Sequence, residues 1–164
     1  MRIDLLAIGS RGDVQPFVAL GVGLKNAGEE IRIITLGGFE DLVCGHGLEH
    51  LVVGDSPQQI ASTAAGQDWI RNRQSTTGFL RGFVRIAQSR IERGIEVYWS
   101  GRRDADLLVV SPMGLLVGVS LAERMSIPMI SAQVEPPTVP TAYGWNGRKS
   151  ARVKLERAWA TLQD

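Results

Sequence analysis

Residues 9 to 13 read Gly-Ser-Arg-Gly-Asp, placing a hydroxyl, a guanidinium and a carboxylate between glycines that let a ligand approach the backbone closely. Each of these residues has a structural use beside a functional one. Asp13 suits a helix cap, accepting hydrogen bonds from the first free N–H groups of a helix and offsetting its dipole. Arg11 suits contact with a phosphate or a ligand carboxylate, or a surface charge paired with a neighbouring acid. Gly9, Ser10 and Gly12 let the loop turn tightly, and Ser10 can donate one hydrogen bond into a cleft whose floor they would shape. A second set, Gln133, Thr138 and Thr141, lies in or beside the proline-rich stretch QVEPPTVPTAYGWNG. These three suit the lining of a small-molecule pocket, or ordinary loop duty.

Other chemistries find no support in the sequence. The glycines are spaced Gly9-x-x-Gly12 and the second apolar run ends Thr35-Leu36, whereas a dinucleotide fingerprint needs G-x-G-x-x-G and an acidic residue there. The phosphate loop G-x-x-x-x-G-K-[ST], the G-x-S-x-G elbow and the C-x-x-C pair are all missing. Cys44 is the single cysteine, so no intrachain disulfide forms, and two histidines do not make a histidine-rich metal site. His46 and His50 flank Gly47 at a helix-to-strand junction, where His46 suits the helix carboxyl end. Arg11-Gly12-Asp13 also spells an adhesion tripeptide, which chance explains. The 18 basic and 17 acidic side chains give no broad positive field for nucleic acid.

These residues need a frame, and the hydropathy pattern supplies one. Ile3 to Ile8 is a near-continuous apolar run closed by Gly9, as in a strand buried on both faces of a parallel sheet. Pro16 fits a first helical turn, and Phe17, Leu20, Val22 and Leu24 lead to a stop at Gly28. Strands follow at Ile31 to Leu36 and Glu49 to Val53, with a short helix in GGFEDLVCGHG between them. Residues 54 to 75 read as a mobile loop with one helical turn at 57 to 65.

Residues 77 to 99 read as the longest helix, with Leu80, Phe83, Val84, Ala87, Ile91, Ile95 and Tyr98 on the face that covers the sheet. Strands at Asp106 to Val110 and Pro128 to Ala132 enclose a helix from Gly114 to Met125. Ser150 can cap a last helix carrying Ala151, Leu155, Ala158, Trp159 and Leu162. This alternation predicts one Rossmann-like, three-layer α/β/α domain with a mostly parallel sheet. In such sheets ligands bind beyond the carboxyl ends of the strands, which is where residues 9 to 13 fall.

The stretch GSRGDVQPFVALGVGLKNAG resembles the opening of the family 1 glycosyltransferases that glucosylate sterols and of those that decorate glycopeptide and polyketide antibiotics. DLLVVSPMGLLVGVSLAERMSIPMISAQVEPPTVPT, from Asp106, is similar to the family's later strand, helix, strand and acceptor-side loop. The resemblance implies one half of a two-domain GT-B fold. Residues 1 to 164 would be the N-terminal, acceptor-binding domain, and the nucleotide-sugar domain would lie outside this chain.

It further implies that Asp13 is a general base taking a proton from an acceptor hydroxyl, in a hexosyl transfer that inverts the anomeric carbon. The donor would be a UDP- or dTDP-linked sugar and the acceptor a hydrophobic alcohol of sterol, polyketide or glycopeptide type. No cofactor or metal is expected in this domain, and the chain alone would be inactive.

The alternative is a non-catalytic Rossmann-like subunit that pairs with a separate donor-binding chain or anchors it to a membrane. A flavodoxin-like receiver would need acidic residues where Ile8 or Gly9 and Val53 stand. The apolar start is too short to span a bilayer, and the single cysteine suits a cytoplasmic protein. Residues 71 to 103 hold eight of the 18 basic side chains against Glu92 and Glu96. That excess suits peripheral contact with anionic lipid, or a solvated helix.

Overall fold

A computed structural model of the chain describes residues 1–72, 75–101 and 104–133. The element order is β1 (Arg2–Leu6), α1 (Arg11–Asn26), β2 (Glu30–Thr35), α2 (Glu40–Cys44) and β3 (Glu49–Val52). It continues with α3 (Pro57–Ser62), α4 (Ala64–Asn72), α5 (Thr76–Ser100), β4 (Leu107–Val110), a short 3-10 turn, α6 (Leu115–Met125) and β5 (Met129–Ser131). All strand pairs are parallel, in the order β3-β2-β1-β4-β5. The chain runs outward from β1 to β3 and then restarts on the other side of β1. The switch point, where a crevice opens at the carboxyl ends, is therefore between β1 and β4.

The strands are apolar on both faces because helices cover both. On one face Ile3, Leu5, Ala7, Ile31 and Ile33 pack with Val14, Phe17 and Val18 of α1 and with Val43 of α2. On the other, Leu6, Ile34, Leu108 and Val110 pack with Tyr98 of α5 and Leu121 and Ala122 of α6. One charged pair interrupts this second face. Arg32, 2% exposed, bonds to Asp4, 0% exposed, through two nitrogens at 2.6 and 3.1 Å. The Tyr98 hydroxyl lies 3.2 Å from the same carboxylate, and Arg32 also donates to the Gly101 carbonyl. A buried pair with this many hydrogen bonds is tolerated, and losing either partner would strand a charge.

Three expectations are corrected. α1 starts at Arg11, so Pro16 lies inside the helix and not in its first turn. The start is set by the Ser10–Asp13 interaction, and the one backbone bond that Pro16 cannot donate is lost close to the end. Residues 57 to 72 form two helices, α3 where one helical turn was expected and α4 in place of the mobile loop. Ser56 caps α3, with Pro57 next and Gln59 returning a bond to the Ser56 N–H. Val84 is 44% exposed, while Ile86 is buried. The first half of α5 packs on α4, where a Cβ at Gly82 would stand 3.0 Å from Trp69 Cγ, and only the later turns reach the sheet. The side chains of Leu80, Phe83 and Ala87, the loop after Gln133 and the last helix lie outside the described residues.

Candidate functional site

The loop joining β1 to α1 lies at the carboxyl edge, beside the switch point. Ser111, 1% exposed at the end of β4, fixes where it begins. Its Oγ accepts from the Ile8 N–H at 3.0 Å and lies 3.2 Å from the Ile8 carbonyl, to which it donates. Its own N–H bonds to the Leu6 carbonyl. The ladder between β1 and β4 is thus extended by a side chain, up to the residue before Gly9.

At Gly9 the backbone takes a φ of +143°, a region nearly closed to other residues. A Cβ there would stand 2.6 Å from Cγ and 2.8 Å from Cβ of Asp13. Asp13 therefore folds back over Gly9, in the third residue of α1. Its Oδ2 accepts from the Ser10 N–H at 2.7 Å and from the Ser10 hydroxyl at 2.8 Å. No hydrogen bond reaches Oδ1 among the described residues. Ser10 is the cap residue of α1, and Asp13 closes a capping box from the third helical position, which occupies one carboxylate oxygen.

The neighbours fall differently from the sequence expectation. Ser10 gives its hydroxyl proton to Asp13 rather than to a cleft. Arg11 points along the exposed helix, 3.3 Å from Gln15 Oε1. Gly12 takes no unusual φ, and a Cβ there would meet only Ser10 Oγ at 3.7 Å, so the turn does not require it. Gln133 is half-buried and follows β5, whereas Thr138 and Thr141 lie outside the described residues.

Two buried polar residues at this edge escaped the sequence reading. Ser111 had a signal, a serine closing an apolar strand ahead of Pro112. Thr35 Oγ1, fully buried at the end of β2, finds no partner among the described residues.

His50 sits on β3 opposite Ile33. Burial pushes its pKa down, and the Glu40 charge opposes that in part. Among the described residues no group of three or more His, Cys, Asp or Glu is placed to hold a metal ion.

Residues 3–143 match the family model described as the glycosyltransferase family 28 N-terminal domain. A sterol 3-beta-glucosyltransferase of Glomerella lagenarium is 36% identical over 143 residues, which is 87% of this chain and 9% of the relative. Those of Debaryomyces hansenii and Saccharomyces cerevisiae are each 34% identical over 87% of the chain, covering 9% and 12% of their own lengths. The chain thus spans about a tenth of these relatives.

Among solved structures, the Streptomyces sp. SF2575 glycosyltransferase SsfS6 superposes with a TM-score of 0.59 at 22% identity, covering 81% of this chain and 39% of that one. SsfS6 has also been solved complexed with thymidine diphosphate, at a TM-score of 0.57. The calicheamicin glycosyltransferase CalG4 gives 0.58 at 19% identity over 97% of this chain and 35% of its own. These likenesses share the fold built above, a parallel α/β sheet of the GT-B glycosyltransferases. With the family match running from the buried first strand past the fifth, the chain belongs to the glycosyltransferase family 28 N-terminal domains.

Proposed function

We propose that this domain holds the acceptor in an inverting, sterol-glucosyltransferase-like hexosyl transfer, with Asp13 as the general base. The observation that carries the reading is the division of labour within one carboxylate. Oδ2 is fixed by two bonds from Ser10, which orients Oδ1 without occupying it. An acceptor hydroxyl within ~3 Å of Oδ1 would pass its proton there as its oxygen bonds to the anomeric carbon. The bond from that carbon to the donor's diphosphate breaks on the opposite face, so the configuration inverts. A carboxylate is a weak base towards an alcohol at rest, but the hydroxyl acidifies as the new bond forms, so position matters more than basicity.

The donor is a nucleoside-diphosphate sugar, UDP- or dTDP-linked, held by a second domain outside these residues. The thymidine diphosphate seen with SsfS6 supports that class. Placement is cytoplasmic and peripheral to a membrane. No described helix is long and apolar enough to cross one. Arg71, Arg81 and Arg85 are exposed, the last 3.9 Å from Asp68, and supply charge for anionic lipid.

The test is Asp13→Asn in the full-length protein, with thermal stability and transfer to sterol and polyketide alcohols measured together. Asparagine keeps an oxygen for Ser10, so melting stays near the parent while transfer falls by about 10²- to 10⁴-fold. Lost stability with retained transfer rejects the base and leaves only the cap.

A further inference from the structure

A cleft of about 430 Å³ opens where β3 ends, walled by Val52, Val53 and Asp55 on the strand side and by Arg90, Arg93 and Val97 of α5. Its cause is local. A Cβ at Gly94 would stand 3.0 Å from the Val53 carbonyl oxygen, and one at Gly101 would stand 2.9 Å from Leu51 Cδ1. The helix is thus pressed onto β3 at two points two turns apart, on the same stripe as Arg90, Arg93 and Val97. Long side chains flanking a bare contact leave a hollow with an apolar floor and a cationic rim.

Arg90, 27% exposed, has its Nε 3.5 Å from Asp55 Oδ2. Arg93 makes no ion pair among the described residues. The lining side chains include two guanidinium groups and one carboxylate beside valine surface. The size fits a small-molecule site, and it lies on the carboxyl edge of the sheet that also carries Asp13.

The geometry points to a subsite for an acidic acceptor: a carboxylate or sulfate carried on a hydrophobic skeleton, with the anion at Arg90 and Arg93 and the skeleton along the valines. This rests on the acceptor-binding reading above and narrows it to hydrophobic alcohols that also carry an acidic group. Asp55, 3.5 Å from Arg90 Nε, would compete with the ligand's anion for that guanidinium.

The probes are lithocholate, a hydroxylated steroid carboxylate, and its methyl ester, each titrated calorimetrically below micelle formation. Lithocholate should bind at least about tenfold more tightly than the ester, as expected for a charge-assisted hydrogen bond. The preference should vanish in the Arg90→Gln/Arg93→Gln double variant. It should grow in Asp55→Asn, a gain that misfolding cannot mimic. Equal binding of acid and ester, or a preference that survives the double variant, overturns the subsite and leaves the acceptor reading standing. Binding of neither compound overturns the subsite, while the acceptor reading is decided separately by the Asp13→Asn transfer assay.

Discussion

Gly9 and Gly12 are three residues apart in one motif, yet the geometry assigns them opposite sensitivities to a methyl group. Gly9→Ala puts a side chain at a φ of +143°, a strain of about 2 kcal/mol. The new Cβ also displaces Asp13, whose Cγ and Cβ lie 2.6 and 2.8 Å away, and weakens its bonds from Ser10 by about 1 kcal/mol. The sum, about 3 kcal/mol, lowers the melting temperature by roughly 9 °C in a domain this size.

Gly12→Ala meets only Ser10 Oγ at 3.7 Å and reduces the freedom of the unfolded chain, so it gains about 0.5 kcal/mol. Thermal and urea unfolding followed by circular dichroism read both. Adding Asp13→Ala to Gly9→Ala removes the carboxylate half of the clash but not the φ strain, so about 1 kcal/mol returns in a double-mutant cycle. A Gly9→Ala protein within 1 kcal/mol of the parent, or a Gly12→Ala protein equally damaged, refutes this account of the turn.

Other consequences are equally open to measurement. His50 is held neutral by burial, while in the unfolded chain it titrates near 6.5. As pH falls through that value the unfolded state takes up a proton that the folded state refuses, so stability drops until the lower folded value is passed. His50→Gln should flatten that limb, and urea midpoints from pH 7.5 to 5 that keep the slope would exclude His50 as its source. Ser111→Ala removes the bonds that close β1 onto β4 and should cost about 1–3 kcal/mol; a neutral effect on unfolding would show that the loop is set elsewhere. Asp4→Asn leaves the buried Arg32 with only the exposed Glu49, 4.0 Å away, as an anion and should cost about 3 kcal/mol. An Asp4→Leu/Arg32→Met pair recovers most of it, and failure to recover would mean that the pair does more than satisfy itself.

Strand positions and topology were legible because both sheet faces are covered. Ile3 to Ile8 and Ile31 to Leu36 therefore had to be continuous apolar runs, which periodicity reads well. Helix starts were harder. Pro16 is a strong local signal, but a proline tolerates a place further in when one lost bond is offset by a better cap at Ser10. The stretch 57 to 72 looked polar because α3 and α4 bury little of themselves. The motif Ser56-Pro57-x-Gln59 was the signal that mattered, a serine answered by an amide three residues on.

At the site, the sequence placed Asp13 at the right edge and left cap and base as rivals. The two oxygens of one carboxylate make them compatible. Ser111 and the α5 cleft depend on residues about a hundred and about forty positions away from their partners, and no local pattern records such meetings.

The two glycine contacts of α5 bear on how this scaffold can be re-engineered. Gly94 and Gly101 seat against Val53 and Leu51 like a pair of registration pins, and α3, α4 and the first turns of α5 hang between them and the end of β3. A donor segment for α3, α4 and the first turns of α5 can be spliced in as a cassette if those four residues are kept. A graft that replaces either glycine would tilt the helix and change the shape of the cleft before any lining residue had been chosen.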